Sequence, residues 1–290
     1  SRHPVSLLKR SLPGDELDSG LFKIMRDNQR VGYLGPIVKR IPAQEGDHQM
    51  LAAGATLNYE GELTGAYDLS QDGRYAVEYI GTAKHGHALA KSAPLYLWLE
   101  GRSAKQAPVP NAGPSIGTGS LSYSGNCSAS QKTTIASAVA AASTYATNAN
   151  TYLSGMVSAT PRYVTWFGAY TSAGRNTAQS HFAAEQSAFA SQDISVDCKC
   201  KKPSVYAYVY PTQPYKIYVC GAFWSAPLTG TDSKAGTLVH EMSHFNVIAA
   251  TDDWAYGQTN AKALALSDPA KALDNADSHE YFAENTPAQP

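Results

Sequence analysis

At 290 residues, 16% of them charged and with a formal net charge of −1, the chain can bury one or two proper cores and lacks the basic excess that nucleic-acid binding requires. No apolar run approaches the roughly 18 residues of a membrane span, which argues against a membrane partner. All four cysteines, Cys127, Cys198, Cys200 and Cys220, lie in the second part of the chain, and an even count in a chain rich in Ala, Ser, Thr and Gly points to two disulfides in an exported protein. The opening Ser1-Arg2-His3-Pro4 carries no signal peptide and reads as a start from which one has been removed or left out.

Residues 1–104 read as a β-rich domain with strands at 31–34, 37–40, 56–59, 75–80 and 95–99. Turn signals such as Gln71-Asp72-Gly73 and Gly81 separate them, and short strands at this spacing suggest a β-sandwich-like fold. His85 and His87 could in principle reach a metal, but the simpler reading is a pair of solvated loop histidines. Residues 105–120, KQAPVPNAGPSIGTGS, have the composition of an open, cleavable linker.

Residues 121–290 read as a mainly helical domain with a small antiparallel sheet, so the whole chain is α+β. An Ala-rich helix is predicted over 131–153, with Ile135, Val139, Ala142, Tyr145 and Ala149 at helical spacing. A short strand follows at 163–167, then a helix over 177–192. Residues 205–210 and 216–223 read as a hairpin around Pro211-Thr212-Gln213-Pro214. The segment 215–224 is the candidate for pairing with an extended peptide, an ordinary core strand being the alternative. Helical pattern returns over 260–285, broken at Ser267-Asp268-Pro269, where Pro269 suits a first helical turn.

Between these lies the most informative stretch, 236–257, GTLVHEMSHFNVIAATDDWAYG. Asp232 or Ser233 can cap a helix here. On that helix His240 and His244 are four apart and share a face, so both imidazoles can grip one cation. Glu241, the next residue along, can serve as general base toward a water on that cation. The bland alternative is two satisfied histidines on a core helix. A catalytic zinc usually takes a third protein ligand. The third histidine of one common pattern is absent, since Val247 and Ala250 occupy the required positions. Glu280 is a distant option, whereas Asp253 follows His244 by nine residues, with Asp252 as its rival. A cysteine zinc site has little support, because Cys198 and Cys200 have no matching second pair.

The pattern H-E-x-x-H followed by A-T-D-D-W-A-Y-G resembles the aspzincins, the deuterolysin and peptidyl-Lys metalloendopeptidase family, with Ala250 standing where the family has Gly. The resemblance implies one Zn2+ per chain on His240, His244 and Asp253, with Glu241 as base and the Tyr256 phenol on the oxyanion. It implies disulfides Cys127–Cys198 and Cys200–Cys220. It also implies that Asp277 and Glu280, three apart on one helical face, line a pocket for Lys after the scissile bond. Read without the family, that pair is a solvated acidic face. The segment around LTGAYDLSQDGRY resembles the propeptides that precede such proteases, and the secreted bacterial toxic members look most similar.

The expectation is therefore a secreted, monomeric zinc metalloendopeptidase zymogen that cuts proteins and peptides before Lys. Its residues 1–104 would act as an intramolecular inhibitor, and the chain would process itself before Lys105. A broad, deuterolysin-like specificity and a non-catalytic secreted binding module are the alternatives.

Overall fold

The structure is a computed structural model that describes residues 3–14, 17–81, 92–100 and 119–290. Its described residues belong to two compact units, one drawn from Ser1–Pro36 and Ala43–Val109, the other from Ile37–Pro42 and Pro110–Pro290. The expected histidine candidates His85 and His87, the processing residue Lys105 and the linker up to residue 118 lie outside the described residues.

In the first unit, strands β1 (Val5–Leu8), β2 (Phe22–Arg26) and β3 (Gln29–Val31) come first. Strand β4 (Ile37–Arg40) belongs to the second unit and is taken up there. Strands β5 (His48–Leu51), β6 (Gly73–Tyr79) and β7 (Leu95–Leu99) complete the first. Here β1 pairs with β5, and a four-stranded antiparallel sheet runs β3-β2-β6-β7. The β2–β3 turn places Asp27 and Asn28 both at positive φ, which suits the right-handed twist of a tight hairpin. The sheet packs on a core of Leu17, Leu21, Ile24, Ala66, Tyr67 and Tyr75. The Tyr67 hydroxyl donates to the Phe22 carbonyl at 2.9 Å and accepts from the Phe22 amide at 3.0 Å. The expected strand at 56–59 does not form; its side chains are mostly exposed, so it offers no buried face for pairing.

The second unit holds β8 (Leu121–Ser124), α1 (Ala129–Gly155), α2 (Pro161–Phe167), α3 (Ser172–Ser191), β9 (Ile194–Asp197), β10 (Val205–Val209), β11 (Lys216–Val219), α4 (Gly221–Ser225), α5 (Lys234–Ser243), α6 (Gln258–Ser267), α7 (Pro269–Leu273) and α8 (Ala276–Glu284). Its five-stranded sheet has the order β4-β10-β11-β9-β8. The sheet is mixed rather than antiparallel as expected: β9 runs parallel to both β8 and β11. For β8 and β9 the reason is the crossover, since α1 to α3 intervene and carry the chain back to the same end, while β10 reverses the chain between β9 and β11.

Residues 163–167 form part of α2 rather than the expected strand. Their β-branched and aromatic side chains suit a strand, but Thr160 caps a helix by accepting from the Tyr163 amide, and Pro161 fills its first turn. The predicted second hairpin strand likewise stops at Val219, and residues from Gly221 form α4. Helix α1 buries Ile135, Ala138, Ala142, Ala146, Ala149 and Leu153, the four alanines being small enough to let its neighbours approach closely. Ser128 and Gln131 close a capping box at its start. Disulfides join Cys127 to Cys198 and Cys200 to Cys220, tying β9 and its following loop to the start of α1 and the end of β11.

Candidate active site

Helix α5 begins at Ser233, whose hydroxyl accepts from the Gly236 amide at 2.9 Å. Glu284, near the end of α8, also accepts from the Ser233 amide and hydroxyl, each at 2.8 Å. Every residue of α5 is buried, so its histidines sit inside the fold rather than on a wet face. This burial follows from its sequence: Leu238, Val239, Met242 and Phe245 supply apolar sides, and Gly236 lets α8 lie close.

His240 and His244 project from successive turns with ring centroids 4.8 Å apart. Asp253 Oδ1 lies 3.2 Å from His240 Nε2 and 3.5 Å from His244 Nε2. Each outer nitrogen has an oxygen near it, although that of His240 makes no hydrogen bond. His244 Nδ1 is 2.8 Å from the Thr251 carbonyl, and His240 Nδ1 is 2.9 Å from Asp277 Oδ1. The bond to Thr251 puts the proton of His244 on Nδ1 and leaves its Nε2 lone pair facing Asp253, and a proton on His240 Nδ1 toward Asp277 would do the same for His240. The Asp253 loop is fixed from α8: Asn275 Oδ1 accepts from the Trp254 and Ala255 amides at 3.0 and 2.9 Å. Asp252, the rival ligand, instead accepts from the Asp253 amide at 2.8 Å and sits outside the cluster. Ala250 turns the chain with φ 52°, a conformation that favours glycine.

The residues fit a zinc ion. His240 Nε2, His244 Nε2 and Asp253 Oδ1 are buried atoms without a hydrogen-bond partner, and both Glu241 carboxylate oxygens share that condition. Two imidazole nitrogens and one carboxylate oxygen are the donor set of a three-ligand zinc centre. Burial pushes the Glu241 carboxyl up to about 8. Burial acts the same way on Asp253, but the two imidazoles outweigh it and hold that carboxyl below the usual range. The Tyr256 hydroxyl lies 2.7 Å from Asp253 Oδ2 and 3.0 Å from the Val38 carbonyl, and its one proton can serve either.

Beside this cluster, Asp277 and Glu280 are fully buried rather than forming the solvated acidic face that is the alternative reading. They enclose the ammonium of Lys39, which is 3.2 Å from Asp277 Oδ1 and donates to Glu280 Oε2. Burial alone would lower the Lys39 pKa, yet the two carboxylates hold it well above the ordinary value, so the residue is charged. The Tyr206 and Tyr281 rings stand 5.3 and 5.9 Å from the ammonium, and the Tyr281 hydroxyl donates to Asp232 at 2.6 Å.

Comparison with known proteins decides the family. A model described as lysine-specific metallo-endopeptidase, of the aspzincin type, matches residues 152–284. An extracellular protease of Aeromonas hydrophila is 46% identical over 99% of this chain and 85% of its own length. The chain belongs to the aspzincin family. A peptidyl-Lys metalloendopeptidase of Grifola frondosa is 40% identical over 89% of the chain and 76% of its own length. The solved structure of a zinc peptidase from that fungus matches with a TM-score of 0.55 and 50% identity, covering 57% of this chain and all of its own. This aspzincin is thus a zinc-dependent metalloendopeptidase with an α+β fold, acting on peptide bonds. Among the described residues no helix is long and apolar enough to cross a membrane.

The segment 215–224 does not offer a free pairing edge in this aspzincin. Strand β11 is interior, with β10 on one side and β9 on the other, so both edges are filled. The pairing partner of β4 is β10 instead. Lys39, Tyr206, Asn275, Tyr281 and Glu284 escaped the sequence reading. An Asn just ahead of the Asp277–Glu280 pair, and an acid one turn beyond it, were the available signals for Asn275 and Glu284.

Proposed function

We propose that the chain is the zymogen of a secreted endopeptidase that cuts on the N-terminal side of lysine. The observation that carries the lysine reading is the buried Asp277–Glu280 pair closed around an ammonium, directly beside the His240–His244–Asp253 cluster. At an effective dielectric near 20, each carboxylate attracts an ammonium about 4 Å away by roughly 4 kcal/mol before desolvation is subtracted. A neutral side chain gains none of this and leaves two buried carboxyls facing each other. The Lys-specific names of the relatives support the same reading.

Zinc held by His240, His244 and Asp253 supplies a Lewis acid for the peptide carbonyl and acidifies a water. Glu241 takes the proton of the attacking water as the new C–O bond forms, and returns it to the amine of the departing Lys residue as the C–N bond breaks. The Tyr256 phenol donates to the carbonyl oxygen as negative charge gathers there. Asp277 and Glu280 hold the lysine ammonium, which fixes the bond before that lysine over the reacting groups. Activation follows loss of an N-terminal portion, with Ala104–Lys105 as the linker bond that this specificity would cut.

Mass-spectrometric mapping of cuts in a denatured protein mixture tests the reading, using processed wild type with and without chelator and Glu241→Ala. Chelator-sensitive cuts before Lys, lost in the variant, are expected. Cuts scattered over other residues would replace the lysine pocket with a broad specificity.

A further inference from the structure

We infer that β4 is a tethered, substrate-like occupant of this protease's own peptide-binding cleft, with Lys39 in the lysine pocket and the Val38–Lys39 peptide where a scissile bond would lie. The inference rests on the lysine reading above and names the segment that stands in for substrate.

Three observations converge. The first is the sheet. Four of its strands come from between Leu121 and Val219, and β10 would be their edge. Strand β4 adds to that edge antiparallel, pairing Ile37 with Val209, Val38 with Tyr208 and Lys39 with Ala207. The Ile41 amide extends the pairing to the Ser204 carbonyl at 3.1 Å. An extended segment added to a sheet edge is a general mode of peptide recognition, in which the backbone supplies affinity and alternate side chains enter pockets.

The second is the side chain. Lys39 is 1% exposed, and its ammonium is enclosed by the two carboxylates and the two tyrosine rings. A lysine is almost never buried whole without partners, so the pocket accounts for its position.

The third is polarity. The carbonyl that approaches the metal cluster is that of Val38, 3.0 Å from the Tyr256 hydroxyl, which itself touches Asp253. A strand laid in the opposite direction would bring the carbonyl of Lys39 itself toward Tyr256. The observed direction puts the bond before the lysine at the reacting groups, as cleavage on the N-terminal side of Lys requires. A tethered ligand acts at an effective concentration in the millimolar range, so β4 excludes free peptides that would otherwise bind in the micromolar range.

The test uses the full chain carrying Glu241→Gln, loaded with zinc so that the probe survives, and two fluorescent tetrapeptides, Ile-Val-Lys-Arg and its norleucine analogue. Adding Lys39→Ala or Lys39→Gln is expected to tighten binding of the lysine probe at least tenfold. Equal lysine-probe affinity in all three chains, with norleucine bound more weakly, would overturn the inference and leave the lysine pocket standing. Indifference between the two probes, or binding of neither, in every chain would remove the pocket and this inference together. Should the Lys39 variants misfold, amide exchange of the chain with Lys39 intact decides the question. Millimolar lysine probe is expected to speed exchange at β4 several-fold, and a bound probe that leaves β4 equally protected would overturn the inference.

Discussion

Asp277 Oδ1 stands 2.9 Å from His240 Nδ1, so the carboxylate that faces the lysine ammonium also faces the outer nitrogen of a metal-site histidine. On the proposed lysine reading, specificity and metal binding would therefore share a residue. A carboxylate behind a metal-binding imidazole fixes its tautomer and raises its basicity, and losing it costs about 10- to 100-fold in metal affinity. Asp277→Asn is expected to weaken zinc by that order and to lower kcat/KM on lysine peptides as well. Glu280 Oε2 is farther from the imidazole at 3.3 Å, so Glu280→Gln is expected to act chiefly on lysine preference. Chelator competition for zinc, measured beside lysine-against-norleucine kinetics, separates the two effects.

The contact between α5 and α8 that makes this sharing possible depends on Gly236. A Cβ there would lie 2.1 Å from Glu284 Oε1 and 3.0 Å from Glu280 Cγ. Glu284 cannot swing away without giving up its bonds to Ser233. Gly236→Ala is expected to destabilise the fold by about 1–3 kcal/mol, the usual range for overpacking, despite alanine's better helix propensity. Urea unfolding of the metal-free protein measures it.

The metal cluster was legible in sequence for a local reason. His240 and His244 share a face through helix geometry alone, and Asp253 is close enough along the chain for a short loop to return it. The same locality explains what was not legible. Lys39 meets Asp277 across 238 residues, and the pairing of β4 with β10 has no sign in the local pattern of 37–40, which reads equally well as a strand of either unit. Tyr206 and Tyr281 carry ordinary strand and helix patterns until the ammonium between them is placed. At 163–167 the run of β-branched and aromatic residues favours a strand by propensity, and the Thr160-Pro161 start signal is what the structure obeys.

Ala250 stands where the resemblance implies Gly, and its φ of 52° lies in the region that favours glycine. A left-handed conformation costs an L-residue roughly 1–2 kcal/mol, while glycine spends about 0.5–1 kcal/mol more on ordering its backbone. Ala250→Gly is expected to raise stability by about 0.5–1 kcal/mol without altering cleavage specificity. Paired urea curves and the cut-site map check both halves of the statement.

The pair His181 and His279 gives a stability dependence on pH. Their rings meet at 3.0 Å between Nδ1 and Nε2, and His279 Nδ1 is 3.1 Å from the Asn275 carbonyl, so each ring is held neutral. Burial lowers His181 to about 4 and His279 to about 3. Below pH 6.5 the unfolded chain binds protons that the folded chain refuses, so stability falls as pH drops from about 6.5 toward those folded values. The loss is on the order of several kcal/mol for the pair by pH 4. Metal-free protein is expected to unfold in less urea at pH 4.5 than at pH 7, and His181→Gln to flatten that dependence. A variant curve parallel to wild type would remove the pair as its source.

Occupation of the cleft by β4 also constrains how the chain could be cut before Lys105. While Lys39 fills the lysine pocket, a molecule cannot present its own Ala104–Lys105 bond to its own site, so that cut requires a second copy whose cleft is open. The appearance of an N-terminus at Lys105 is therefore expected to show a lag, and the lag to shorten with protein concentration as active copies accumulate. Lys39→Ala is expected to abolish most of the lag. Timed N-terminal mass spectrometry over a tenfold dilution series after adding zinc to metal-free protein follows it directly. A first-order, concentration-independent appearance of that end would mean that β4 leaves the cleft faster than the bond is cut, and that each molecule processes itself.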